Sequence, residues 1–323
     1  MTIESYSLLS DRAVMATAVL YGLAFLAFLA EWSRARRLAT APPAEASTAS
    51  GHTAAGDGAT TLEAPTTPAP TRGTDLLGRS ALTLTLAGFA THTLGVVLRG
   101  VAASRAPWGN MYEFTLVGTL CLVASYLLLV RVDRVRPLGL PVLATTLVML
   151  MLAVLLLWVP AGPLVPALQS YWLVIHVAAA LIAAGAFVFG GIVSALYLCQ
   201  HRAARRGRDG SSGYLSRLPH RDDLDELAYR IHAFAFPVWT FAALIAGPVW
   251  AKYSWGRYWA WDPKEVWAFI TWVVYAAYLH ARVTAGWKGR GAAALSLLGV
   301  GTVLFSFIGI NLFGSGLHAY AGL

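Results

Sequence analysis

The chain has 323 residues, 57% of them hydrophobic and only 12% charged, with a mean hydropathy of +0.60. That is about half the charge of an ordinary soluble domain, which excludes a water-soluble globular fold and points to an all-α polytopic membrane protein. The net charge of +8 does not call for nucleic acid, because basic residues of membrane proteins gather in cytoplasmic loops. Only Cys121 and Cys199 occur, far apart and inside apolar runs, which excludes a disulfide framework, a CxxC redox pair and a CxxCH motif.

Apolar runs long enough to cross a bilayer predict eight transmembrane helices, at roughly 13–31, 78–99, 113–131, 138–159, 170–200, 229–250, 264–284 and 292–313. The first run reads as an uncleaved span: its preceding segment, "MTIESYSLLSDR", lacks a basic start, and the cluster "RARR" follows the run. Residues 1–38 therefore read as a first span with a basic stop. Residues 39–75, rich in Ala, Thr, Pro and Gly, read as a disordered cytoplasmic linker in which His52 is silent. Residues 76–323 form a seven-helix membrane domain. Ahead of its sixth span, "RDDLDELAYR" reads as an amphipathic helix at the membrane surface.

Orientation follows from the loops. "RARR" (34–37), "RVDRVR" (131–136), "HRAARRGR" (201–208) and the segment with Arg282, Lys288 and Arg290 all fall on one side of an eight-span topology, which the positive-inside rule makes cytoplasmic. Both termini and a tryptophan-rich segment at about 250–272, between spans six and seven, are then extracytoplasmic. So are four cations, Arg99, Arg105, Lys252 and Arg257, which the rule leaves unexplained.

The stretch "WGRYWAWDPKEVWAF" (255–269) has a structural reading and a functional one. Asp262 suits a helix N-cap, Pro263 the first helical position and Glu265 the reciprocal arm of a capping box. Tryptophans also collect at membrane interfaces. Yet six of the chain's twelve tryptophans fall between Trp250 and Trp272, a patch more than a distributed belt. Such a surface can stack on a large flat ligand, and residue type alone leaves belt and platform open.

The histidines bear on that choice, since ionisable groups inside spans are costly. His176 lies about six residues into the fifth span, roughly 9 Å from its outer end, and His318 follows the eighth span in "GINLFGSGLHAY". Both belong to the face that carries the tryptophans, where two imidazoles suit the axial positions of a haem. The four outer cations would then serve its propionates. His280 sits about sixteen residues into the seventh span, roughly 24 Å from its outer end, so it pairs poorly with His92, in the outer third of the second span. His232 has a depth like that of His280; a histidine of a partner protein is the other choice. His201 and His220 lie in basic loops.

"WGRYWAWDPKEVWAFITWVVYAAYLHAR" resembles the WWD signature of the CcsA/ResC family of System II cytochrome c biogenesis proteins, often labelled CcsB in actinobacteria. The likeness runs from "LDELAYRIHAFAFP" to "GINLFGSGLHAY", and "PWGNMYEF" (107–114), with Glu113, is similar to the family's Asn-x-Tyr-Glu loop. The resemblance implies that His176 and His318 ligate haem b, as substrate, beside a loop of Trp255, Trp259, Trp261 and Asp262, with Arg257 and Tyr258 close to it. It implies that His280 holds haem at a second site with a ligand from a CcsB/ResB-like membrane protein, while His92 has a counterpart of uncertain role and His232 none. The implied activity is that of one part of a holocytochrome c synthase, a lyase-type haem–thioether ligation onto the CxxCH of an apocytochrome c kept reduced by thioredoxin-like proteins. The implied place is the plasma membrane, with the active face outside. The rival readings are a System I haem-handling protein, a haem exporter without synthase activity, and a quinone-binding or structural subunit.

Overall fold

The computed structural model describes residues 2–40, 72–130, 135–163, 169–207, 213–314 and 316. Among them are eight helical runs long and apolar enough to cross a membrane, as the sequence predicts, and no strand. They comprise α1 (Ile3–Thr40), α2 (Arg72–Ala103), α3 (Met111–Leu129), α4 (Gly139–Leu156, after a 3-10 turn at Arg136–Leu138), α5 (Tyr171–Arg205), α6 (Arg221–Thr240), which continues through a π-helical turn, Phe241–Ala246, into α7 (Gly247–Trp255), then α8 (Pro263–Val283) and α9 (Arg290–Leu304), which continues through a second π turn, Phe305–Gly309, into α10 (Ile310–Phe313). Residues 41–71, most of the expected linker, lie outside the described set; its two edges belong to α1 and α2.

The first span begins ten residues before the apolar run. Ser10, Val14, Thr17, Tyr21, Ala24, Phe28 and Glu31 are buried at alternating steps of three and four, and so are Gly78, Ala81, Thr85, Gly88, His92, Gly95 and Arg99 on α2. Two such stripes make a heptad seam. Ser10 donates to Gly95 O at 2.8 Å and Thr17 to Thr91 Oγ1 at 3.0 Å across it. Pairing with α2 thus carries α1 through the polar leader.

"RDDLDELAYR" is not a separate surface helix, which corrects the expectation. It is the first half of α6, whose buried stripe of Leu224, Leu227, Ala228, Ile231, Ala235 and Trp239 runs unbroken into the span. Its acids close one end of the bundle: Asp225 pairs with Arg282 at the end of α8 and accepts from the Gly289 N–H at 3.0 Å. At the same end Glu31 accepts from Arg136 at 2.7 Å and Arg217 at 2.9 Å, and Arg136 also reaches Asp75. Tyr214, its hydroxyl held protonated by burial, donates to Pro137 O at 2.7 Å. Ion pairs therefore fasten the loops of this end, all of which the charge pattern puts on one side.

Helix α5 is the central post, packed on α3, α6 and α9. Its small residues make that possible. A Cβ on Gly190 would stand 2.5 Å from the His232 ring, so this glycine is what admits a histidine between α5 and α6. Helix α8 is the least buried of the eight spans.

Candidate functional site

The end of the bundle opposite those ion pairs holds a cavity of about 160 Å³. Its walls come from the 108–109 turn and α3, from α5, from α6 with its π turn and α7, from the start of α8, and from the π turn after α9. Most of the lining is aromatic or aliphatic, with Trp108, Trp239, Trp250 and Trp259 among it, and His176, Lys264, Glu265 and Ser306 as its polar members.

His176 sits in the second turn of α5, which Ser170 caps by accepting from the Trp172 N–H. Its Nδ1 is 2.9 Å from Ala242 O. A carbonyl only accepts, so Nδ1 donates and the lone pair falls on Nε2, the tautomer of an imidazole that ligates a metal. The ring lies parallel to Trp250, 5° apart and 6.0 Å between centroids. Two features of the opposing chain make this geometry. Ala242 is inside the π turn, where its carbonyl takes the Gly247 N–H five residues on and the ladder is spread. Pro248 at the start of α7 has no N–H to return the chain to α pairing there. Gly247 then leaves room for the ring: a Cβ there would meet His176 Nδ1 and Ala242 O at 3.1 Å each.

The tryptophan turn is built by its acids. Asp262 accepts from the Lys264 N–H at 3.0 Å, and Glu265 Oε2 accepts from the N–H groups of Ala260 at 2.8 Å and Asp262 at 3.2 Å, completing the expected capping box. Trp261 is held at φ 58°, a conformation that bulky residues rarely adopt. Its side chain is turned outward and meets Trp259 edge to face at 5.8 Å. Of the three tryptophans named from the sequence, Trp259 lines the cavity; Trp255 packs edge-on against Trp250 at 4.7 Å, and Trp261 forms an exposed lip with Tyr258 nearby. Gly316 sits so close to Asp262 that a Cβ would stand 2.2 Å from its Oδ2, so the C-terminal segment sets out from beside the tryptophan turn. His318 itself lies outside the described residues.

Two of the four outer cations are a correction. Arg99 and Arg105 both close on Glu113, Arg99 Nε at 2.9 Å and Arg105 at 2.6 Å, with Arg99 and Glu113 fully buried and Arg99 Nη1 without a hydrogen-bond partner among the described residues. Arg99 also donates to Val159 O, and Glu113 accepts from the Gly109 N–H at 2.8 Å. This knot ties α2, α3 and the segment after α4 together behind Trp108. Lys252 donates to Gly256 O and lies over the Tyr258 ring, and Arg257 is exposed.

The remaining histidines are dispersed. His92 lies in the α1–α2 seam, edge-on to Tyr21, with Nδ1 3.5 Å from the Tyr21 hydroxyl. His232 is buried among Phe187, Tyr275 and Tyr278, with Nε2 2.7 Å from Ser296 Oγ. His280 is exposed on α8, its Nδ1 3.3 Å from Thr284 Oγ1, so the two do not share a site. Reading the sequence counted Trp250 in the tryptophan patch but missed Trp108, Trp239 and Lys264 as cavity residues. The signals present were Pro237 and Pro248 inside one apolar run, which announce a broken helix.

Comparison with known proteins bears on this site. The sequence model of the family described as Cytochrome C assembly protein matches residues 108–318. A cytochrome c biogenesis protein CcsA from Guillardia theta is 34% identical over 255 residues, covering 74% of this chain and 84% of that one. CcsA proteins from Synechococcus elongatus (264 residues, 69% and 81%) and Chlamydomonas reinhardtii (262 residues, 76% and 72%) are also 34% identical. Among solved structures the cytochrome c haem lyase CcmF superposes with a TM-score of 0.58 at 18% identity, over 99% of this chain. The chain spans about half the length of that protein, 51%, and the likeness is one of fold.

Proposed function

The chain belongs to the cytochrome c assembly protein family, and on that premise we propose that it is the haem-delivery subunit of a cytochrome c synthase. In this reading haem b is the substrate, held at the tryptophan end between His176 and His318 on the extracytoplasmic face of the plasma membrane. An apocytochrome c presents its CxxCH there. Each thiol adds across a vinyl group, the sulfur bonding to one vinyl carbon and a proton arriving at the other, so the step needs no net oxidant. The chain's own residues bind, orient and exclude water.

The observation that carries the reading is the His176 imidazole, fixed by the Ala242 carbonyl and Trp250 in its metal-ligating tautomer at the wall of an aromatic cavity. A merely structural histidine has no need of a π turn to receive it. Trp259 adds a second sign: its buried Nε1 has no hydrogen-bond partner among the described residues, in a wall suited to a flat polar-edged ligand. The exposed His280 on the least buried span supports a second site completed by a CcsB/ResB-like membrane protein. The identity to CcsA proteins favours this System II role over a System I one.

The test is a reduced-minus-oxidised absorption spectrum of the purified chain. Wild type should show a low-spin haem with two nitrogen ligands, and His176→Ala and His318→Ala should each lose it or recover it only with added imidazole. A folded wild-type protein without haem, alone and with its partner, refutes the reading.

A further inference from the structure

Arg99 and Arg105 are committed to Glu113, and the cavity itself is lined by a different cation. Lys264, in the first turn of α8, lines it. Its Nζ donates to Asn311 Oδ1 at 2.8 Å and stands 6.0 Å from the centroid of the Phe114 ring. Asn311 is itself held, its amide nitrogen donating to Phe307 O, which turns its oxygen toward the lysine. An ammonium carries three donors, and no carboxylate of the described residues lies within ion-pair distance of this one. The adjacent acids are engaged by backbone: Asp262 Oδ1 caps the Lys264 N–H, and Glu265 Oε2 takes two N–H groups of the turn. The ammonium hydrogen-bonds one neutral acceptor and feels the Asp262 carboxylate only through space, so a carboxylate brought into the cavity gains a charge-assisted hydrogen bond that water would otherwise weaken.

We infer that Lys264 is the anion-recognising residue of the cavity and takes a carboxylate on the edge of a flat, apolar ligand lying against Trp250, Trp259 and Phe114. The inference rests on the haem reading above and specifies the group recognised as a propionate. It also accounts for the residue type: a lysine's flexible stem can pass along an aromatic wall and present a point charge, where an arginine fork would need a wider polar bay. Arg99 and Arg105 do not line the cavity and pair with Glu113.

The test titrates the full-length chain in detergent with ferric protoporphyrin IX and with its dimethyl ester, which keeps the ring and iron but has no carboxylates. Wild type should bind the diacid about tenfold or more tightly than the ester, as a hydrogen bond to a charged group implies. Lys264→Met should bind both with the affinity of wild type for the ester, and Lys264→Arg should keep part of the preference. Size-exclusion profiles and thermal unfolding check that each variant is folded; if Lys264→Met is not, the wild-type comparison and Lys264→Arg decide. Equal binding of the two porphyrins by wild type, or an undiminished preference in folded Lys264→Met, makes Lys264 only a post between α8 and α10 and overturns the inference while leaving the haem reading intact. Binding of neither porphyrin by folded wild type, alone and with its partner, overturns both.

Discussion

Gly247 and Glu113 do different work at the tryptophan end, and substitutions separate them. A side chain at Gly247 meets the His176 ring and the carbonyl that orients it. Gly247→Val should leave the spans inserted and the protein folded but weaken haem binding by about tenfold or more, the order expected when a ligand loses its fixed orientation; a porphyrin titration measures it. Glu113→Gln removes the one negative charge between two buried or nearly buried guanidinium groups. Breaking such a pair costs about 3–5 kcal/mol, so the variant should fall in folded yield and melting temperature before any question of binding arises. Lys252→Gln, on an exposed lysine, should stay within about 0.5 kcal/mol of wild type in the same melting assay. Glu113 was legible from "PWGNMYEF" as a residue of interest, but its partners were not: nothing in the sequence says that Arg99, fourteen residues earlier, turns inward.

The two π turns, Phe241–Ala246 and Phe305–Gly309, face the same cavity and are the elements that shape it. A π turn is in effect one residue inserted into an α-helix. Deleting Ile245, whose side chain is exposed, should restore regular pairing and turn everything after it by about 100° about the helix axis. Ala242 O would leave His176, and Trp250 would leave its stacking position. The expected outcome is a membrane-inserted protein that purifies without haem; a deletion variant with a wild-type spectrum would show that the π turn is incidental. Hydropathy cannot detect such a turn, because an added residue changes neither the length nor the apolarity of a span enough to notice. The same blindness explains the misread start of α6, where the acids of "RDDLDELAYR" hide a buried stripe that continues into the span.

At the scale of the whole molecule, ion pairs close one end of the bundle and aromatic surface lines the other, with His280 exposed on α8 near the ion-paired end. A histidine on a lipid-facing helix is costly unless something covers it. On the proposed second site, His280→Ala should leave the spectrum of the isolated chain unchanged and remove only haem gained on co-purification with a CcsB/ResB-like protein. A change in the isolated chain would assign that site to this protein alone. Composition and hydropathy by themselves determined the eight spans, since the bilayer demands about 20 apolar residues per helix and leaves few alternatives. The capping box at Asp262 and the singling out of His176, which the structure sets in the cavity wall, were equally local, one resting on a three-residue spacing and the other on the cost of an ionisable group in a span. What only the tertiary structure decided was which aromatic and charged side chains meet. Trp108, Trp239, Trp250 and Lys264 come from segments up to about 150 residues apart, joined by helix packing that no local pattern encodes. Arg99 and Arg105 looked available because a sequence records a charge without recording what lies opposite it.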